Sequence, residues 1–398
     1  MSNILFLCQR LPYPPNKGEK IRAFHFIRHL GGRHRVFLGC FVEGPDRQRP
    51  IEPLQDICAE IRCVSLDKSR ALLKAALGLV GSAPLSVRYF ADKRMARWIN
   101  DIGKREKIDA VVIFSSAMAQ YLDALPPPRP RSMIDFVDVD SDKWQQYAAT
   151  RGFPMNLIYR REARTLAAYD RAWAGRADAA TFISKPEADL FKRIAPECAE
   201  RIHVIANGVD CAHFAPHSVT PIAEAEGPVI VFSGTMNYWP NEDAARWFAT
   251  DIFPSIRARY PMALFYIVGA DPGPSITALS NDPQIRVTGR VADPRPYLER
   301  ADAVVAPMRI ARGVQNKVLE GLAMAKPVIT TPQGLEGLDA EAGRHVLVAQ
   351  TAEAFARSVL DVLESDRGGT LGKAGRAHVL QHYGWEHHLR ALDRILGL

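Results

Sequence analysis

The sequence predicts two doubly wound α/β domains facing across a cleft. Three observations carry that expectation. The chain is 398 residues long, and single domains run to roughly 100–200 residues. Short apolar runs alternate with segments of helical period along the whole length, the pattern of parallel sheets covered on both faces. The alternation breaks once, at Asn207–Pro228, where three Pro fall in a stretch of little periodicity. The expected boundaries are an N-terminal domain over 1–206, a linker over 207–228 and a second domain over 229–379, with a C-terminal helix at about 380–398 packing back on the first. In open sheets of this kind, ligands bind beyond the carboxyl ends of the strands.

In chain order, Asn3–Cys8 reads as a strand, and 17–30 as a helix with Ile21, Phe24, Ile27 and Leu30 on one face. Val36–Val42, Ala110–Phe114 and Ser132–Phe136 follow as strands, then a long helical stretch from about 155 to 195, then Ile202–Ile205. In the second half the strands are Val229–Phe232, Leu264–Val268, Ile285–Thr288, Ala303–Ala306, Val328–Thr330 and His345–Val348, with helices such as 241–259 and 315–325 between them.

Composition narrows the class. With 47% hydrophobic and 24% charged residues the chain is globular, which excludes a disordered or fibrous protein. Six Cys are too few for a disulfide scaffold, and Cys58 and Cys63 lack partners at zinc spacing. They read as reduced, buried thiols. No run of roughly 18–20 apolar residues is present to span a bilayer. The start, Met1-Ser2-Asn3, lacks a basic leader, so a cytoplasmic location is expected. Residues 1–200 hold 32 Lys and Arg against 23 Asp and Glu, whereas residues 201–398 hold 19 against 21. One half therefore suits an anionic partner. Nucleic acid is disfavoured, because no zinc-finger spacing or RNA-binding aromatic signature appears.

The segment Pro307 to Thr330 carries the most chemistry. A strand ends at Pro307, a loop with Arg309, Arg312 and Gly313 follows, and a helix starts near Gln315. Backbone N–H groups at a helix start favour an anion. Lys317 adds a full charge, and Glu320 lies one turn after Asn316 on the same face. Phosphate donors followed by a carboxylate acceptor suit a nucleotide diphosphate with its ribose. An ordinary solvated Lys–Glu surface fits these residues equally well.

This segment resembles the nucleotide-sugar site of retaining family-4 glycosyltransferases of the GT-B fold. Val204-Ile-Ala-Asn-Gly-Val-Asp210 is similar to that family's signature at the end of the N-terminal domain. Phe232-Ser-Gly-Thr-Met-Asn-Tyr-Trp-Pro-Asn241 resembles its second glycine turn, with Gly234 and Asn241, and Val287-Thr-Gly-Arg-Val291 its base-reading loop, with Arg290 and Val291. Pro14-Pro-Asn-Lys-Gly-Glu-Lys-Ile-Arg22 resembles its N-terminal glycine loop. That loop and Phe136-Val-Asp-Val-Asp-Ser-Asp-Lys-Trp144 look most like the transferases linked to exopolysaccharide and exosortase (PEP-CTERM) systems. The chain departs from the family at four places. Arg312 stands where the first of two Glu is usual, Thr235 and Pro240 replace an Arg and a Lys, and Val137 replaces a His.

The resemblance implies transfer of a sugar from a UDP- or GDP-sugar to a lipid-linked or polysaccharide acceptor, with retention, no metal and no further cofactor. Lys317, Glu320 and Asp138 are the expected catalytic residues. Gly18, Arg22, Gly234, Asn241, Arg290, Val291, Arg309, Gly313 and Asn316 are expected to bind donor with them. Arg22 is expected to face the cleft and steady a phosphate. Asp138, with Asp140 and Asp142, could hold an acceptor hydroxyl or form a solvated acidic turn. The eleven His are expected to hold no metal pair. Residues 71–99 mix apolar runs with Arg88, Lys93, Arg94, Arg97 and Trp98, and fit either an anionic membrane surface or ordinary domain packing. The alternatives are a sugar-nucleotide epimerase of similar architecture and a non-catalytic nucleotide-binding scaffold. A dehydrogenase is disfavoured, because no G-x-G-x-x-G follows the first strand.

Overall fold

The computed structural model describes residues 1–15, 18–44, 51–223, 225–311 and 313–398; for Val80 it describes only the backbone. The chain forms two compact units, Met1–Ala206 with Leu389–Leu398, and Asn207–His388.

The first unit holds seven strands: β1 (Asn3–Cys8), β2 (Arg35–Val42), β3 (Glu60–Ser65), β4 (Ala110–Phe114), β5 (Arg131–Val137), β6 (Ala179–Phe182) and β7 (Ile202–Val204). They pair in parallel in the order β3-β2-β1-β4-β5-β6-β7. The second unit holds β8 (Val229–Ser233), β9 (Leu264–Val268), β10 (Ile285–Gly289), β11 (Ala303–Ala306), β12 (Val328–Thr330) and β13 (Leu347–Val348). Their order is β10-β9-β8-β11-β12-β13, again parallel. Both sheets reverse their winding once, between β1 and β4 and between β8 and β11. Those are the switch points where α/β sheets leave room for a ligand.

The central strands are apolar on both faces because helices cover both. β1 buries Ile4 to Cys8 and β8 buries all five of its residues. This continuous burial made them legible as short apolar runs. Two strands were not expected. β3 is an edge strand with Glu60 and Arg62 in it, so its apolar signal is weak. β6 reads Ala-Ala-Thr-Phe and lies inside the stretch expected to be one helix from about 155 to 195. The structure divides that stretch into helix Met155–Arg176, β6 and helix Lys185–Ile194. Ser184 caps the latter helix by accepting from the Glu187 N–H. The expected helix 241–259 is likewise interrupted, by a π-turn at Phe248–Ile252.

Residues 207–228, expected as a linker, belong to the second unit. The Val209 N–H donates to the Tyr383 carbonyl at 2.8 Å, and the Ile222 N–H to that of Pro296 at 3.1 Å. The last helix, Trp385–Leu396, ends in the first unit, where Asp393 accepts from His29 at 2.8 Å and from Arg33 at 3.0 Å.

Inside the first unit, Arg22 of helix Gly18–Gly31 and Asp135 of β5 form a buried ion pair, with Nε–Oδ2 2.7 Å and Nη2–Oδ1 3.1 Å. The Thr181 hydroxyl donates to the same carboxylate at 3.0 Å. Both charged side chains are 0% exposed. Arg22 was expected to face the cleft and meet a phosphate. Its guanidinium instead crosses the sheet's covering layer to Asp135, where a buried carboxylate has to be matched.

Candidate functional site

The expected donor residues of the second unit collect at its switch point. β8 ends at Ser233 and runs into Gly234, whose φ is +158°. A Cβ on Gly234 would lie 2.8 Å from Asn241 Nδ2. After β9 comes Gly269, φ +152°, where a Cβ would overlap the Gly234 carbonyl oxygen. The two loops touch backbone to backbone, and only Gly permits this. Gly269→Ala is therefore expected to cost about 1–3 kcal/mol by forcing the two loops apart. Calorimetry on the purified variant measures it.

Asn241 organises the site. It is buried in the first turn of helix Trp239–Trp247, and its Nδ2 donates to the Thr235 carbonyl at 2.9 Å. Its Oδ1 accepts from Lys317 Nζ, also at 2.9 Å. Lys317 stands in the first turn of helix Asn316–Ala323, 5.6 Å from the centroid of the Phe232 ring. Burial lowers Lys317 to about 8, with Glu320 opposing the shift. Burial raises Glu320 to about 7, with Lys317 opposing in turn. Desolvation thus outweighs their mutual attraction in both groups. Asn316 opens this helix, and its Oδ1 is buried with no hydrogen-bond partner. Gly313, φ +63°, turns the chain into the helix.

Other expected residues are placed differently. Arg309 is held by Asp243, Nε–Oδ2 3.0 Å and Nη2–Oδ1 2.5 Å, and lies over the Trp247 ring at 5.4 Å. That pairing raises its pKa. Its charge is therefore already matched. Arg290 is similarly paired with Asp271 at 3.0 Å. It follows β10 at the sheet's edge, and Val291 next to it packs against the core. Arg312 lies outside the described residues, as do Asn16 and Lys17 of the N-terminal loop.

In the first unit Gly18 begins its helix with open space where a Cβ would stand. Asp138 follows β5, directly after Val137, whose φ of +69° is unusual for a β-branched residue. Lys143 Nζ donates to Asp138 at 2.7 Å and to Asp140 at 3.1 Å. The acidic turn is therefore neither bare nor fully solvated. Among the described residues no three His, Cys, Asp or Glu converge as a metal set.

Several polar residues were missed. Asp243 was hidden because nothing in the sequence links it to a cation 66 residues away. Ser115 after β4 and Ser141 each bury a hydroxyl with no partner, and Asp170 buries an unpartnered Oδ1. Burial pushes the Asp170 carboxyl well up. A pair of His at helical spacing was passed over as well. His378 and His382 are four apart on one helix, with ring centroids 4.7 Å apart, and His345 stacks on His378 at 4.3 Å. The spacing itself was the signal.

The pattern of the family "Glycosyl transferases group 1" matches residues 227–365, within the site-bearing unit Asn207–His388. The second unit is of the group 1 glycosyltransferase type. Among solved structures, the chain resembles sucrose-phosphate synthase from Thermosynechococcus elongatus, at 15% identity and a TM-score of 0.71, covering 99% of this chain and 98% of that one. It also resembles Anabaena HepE in complex with UDP and glucose, at 14% identity, TM-score 0.70 and full coverage of both chains. A third is WaaG, a glycosyltransferase involved in lipopolysaccharide biosynthesis, at 17% identity and TM-score 0.69, covering 99% of this chain and all of that one. These likenesses establish the fold of the chain, which is GT-B. No curated protein sequence matches it.

Proposed function

We propose that this glycosyltransferase moves a sugar from a nucleotide diphosphate to a lipid-linked or polysaccharide acceptor, with retention and without a metal. The observation that carries the reading is Lys317 held by Asn241 at the start of helix Asn316–Ala323, with Glu320 one turn on. As the glycosidic bond to the donor phosphate breaks, negative charge grows on the departing diphosphate. A desolvated ammonium beside a helix N-terminus meets that charge without solvent reorganisation. Glu320 accepts from the ribose hydroxyls, the unpartnered Asn316 Oδ1 accepts from the donor, and Gly234 lets the phosphates approach the backbone. Arg290 and the backbone of Val291 meet the base. Arg309 shapes the loop through Asp243, and Gly313 turns it. In the first unit, Gly18 opens its loop to ligand, and Asp138, steadied by Lys143, holds the acceptor hydroxyl.

HepE is described with UDP and UDP-glucose bound, which supports a nucleotide-sugar donor here, whether UDP or GDP. WaaG acts in lipopolysaccharide biosynthesis, which supports a lipid-linked acceptor. Placement beside the exopolysaccharide and exosortase-linked transferases rests on the loops at 14–22 and 136–144.

The two perturbed groups define the test. Below about 7 Glu320 is protonated and loses an acceptor for the ribose. Above about 8 Lys317 is neutral, and an anion can bind only with proton uptake. UDP or GDP affinity, measured by calorimetry across pH, is expected to peak between these limbs and to fall by up to about tenfold per pH unit on the alkaline side. Glu320→Gln should flatten the acid limb and move the alkaline limb to lower pH, because Glu320 holds the Lys317 value up. Affinity independent of pH across both limbs sinks the assignment.

A further inference from the structure

Helix Lys68–Leu77 is built inside out. It buries Ala71 and Ala75, and it exposes Leu72, Leu73 and Leu77 at 52%, 63% and 69%. A helix of a soluble unit ordinarily buries its leucines and shows its small residues. Leu79, in the turn that follows, is also exposed. A second apolar tip stands in the turn joining helices Asp140–Thr150 and Met155–Arg176. There Phe153 is 82% exposed, and Met155 and Leu157 are exposed with it.

The two tips are clamped together. Arg161, one turn after Leu157, donates to the carbonyls of Gly78 at 2.7 Å and Leu79 at 3.1 Å. Glu162 beside it accepts from the backbone N–H groups of Leu85 and Ser86, at 2.7 and 2.9 Å. The turn after the leucine helix is thereby fixed to the helix that carries Leu157. Six exposed cations accompany the apolar residues: Lys68, Arg70 and Lys74 on one tip, Arg151, Arg160 and Arg164 on the other. Neither segment, 68–79 or 151–164, holds an exposed carboxylate, since Glu162 is buried.

We propose that these tips form one face that docks the first unit onto an anionic lipid surface. Leucines and a phenylalanine exposed together would be unfavourable in water, and cations without acids select a negatively charged partner. An anionic bilayer offers both, with the apolar side chains entering the headgroup–acyl boundary. Among the described residues no helix is long and apolar enough to cross a membrane, so the contact is with its surface. The face differs from the one expected over 71–99. Helix Lys93–Arg105 buries Met95, Trp98, Ile99 and Ile102, and the Trp98 Nε1–H donates to Glu60 at 2.6 Å. That basic–aromatic part is ordinary packing. The docking face runs instead from 72–79 to 153–157. It deepens the lipid-linked acceptor reading, but vesicle binding needs no turnover, so failure of either is distinguishable.

The experiment is flotation of the full chain with phosphatidylcholine vesicles, with and without phosphatidylglycerol. The wild type should float with the anionic vesicles at low ionic strength, and less as the Debye length shortens from about 30 to about 8 Å. Removing one exposed Arg, as in Arg160→Gln, should lower partitioning about fivefold, from about 1 kcal/mol per basic residue. Leu73→Ser/Leu77→Ser and, independently, Phe153→Ser/Leu157→Ser should each weaken flotation further while UDP binding and the melting temperature hold. These positions are exposed, so folding is not at risk. Flotation unchanged by the Phe153 pair removes the composite face. Absence of flotation at low salt overturns the proposal, and a dimer broken by the same substitutions would assign the face to a second copy.

Discussion

Replacing Lys317 by Met is expected to cost the protein its donor and spare its fold. The ammonium gives up water to sit beside Asn241 and Phe232, and burial alone brings it down to about 8. The charged form is therefore disfavoured by folding. The sign follows from linkage: a Lys whose pKa is lowered on folding binds fewer protons in the native state. Stability then rises with pH between about 8 and the ordinary lysine value. Met keeps the aliphatic stem and removes the charge, which offsets the donor lost to the buried Asn241 Oδ1, so the melting temperature should change little. Donor binding should fall, because a charge-assisted hydrogen bond to phosphate is worth about 1.5–3 kcal/mol, or about tenfold to 150-fold in affinity. Turnover should fall further, by about 100- to 1,000-fold, since the charge to be met grows as the diphosphate leaves. Thermal shift with UDP and GDP, together with a donor-hydrolysis assay, measures both. Loss of stability with unchanged nucleotide binding would make Lys317 a packing residue.

Asp135→Asn should do the reverse, damaging the first unit and leaving the nucleotide site intact. Arg22 and Asp135 are both fully buried and bonded to each other, with Thr181 completing the carboxylate. Removing one partner of such a buried pair costs about 3–5 kcal/mol. For a unit of this size that lowers the melting transition by about 10 °C. The double variant Arg22→Met/Asp135→Leu should recover part of the loss, since apolar replacement of a buried pair is often tolerated. Scanning calorimetry with and without nucleotide reads both outcomes. A single variant as stable as the wild type would show that Arg22 is compensated elsewhere.

The chain's own pattern went far toward its architecture. β1, β4, β9, β11 and β12 stand where the apolar runs put them, because central parallel strands bury both faces and need no alternation to be seen. β3 and β6 escaped, the first through its edge charges and the second through its Ala-Ala start. The family pattern was legible too, since loop glycines and the helix-start segment are local features.

What the sequence could not decide is which charge meets which. Arg22, Arg309, Lys317 and Asp138 all read as free ligands on paper. Folding pairs Arg22 with Asp135 and Arg309 with Asp243, gives Asp138 to Lys143, and sets Lys317 against Asn241. Those partners lie up to 113 residues apart. A local pattern fixes where a side chain starts along a helix or strand. Only the packed sheets decide what lies within 3 Å of its charged end, and desolvation then decides whether the charge is matched, lowered or left for a ligand.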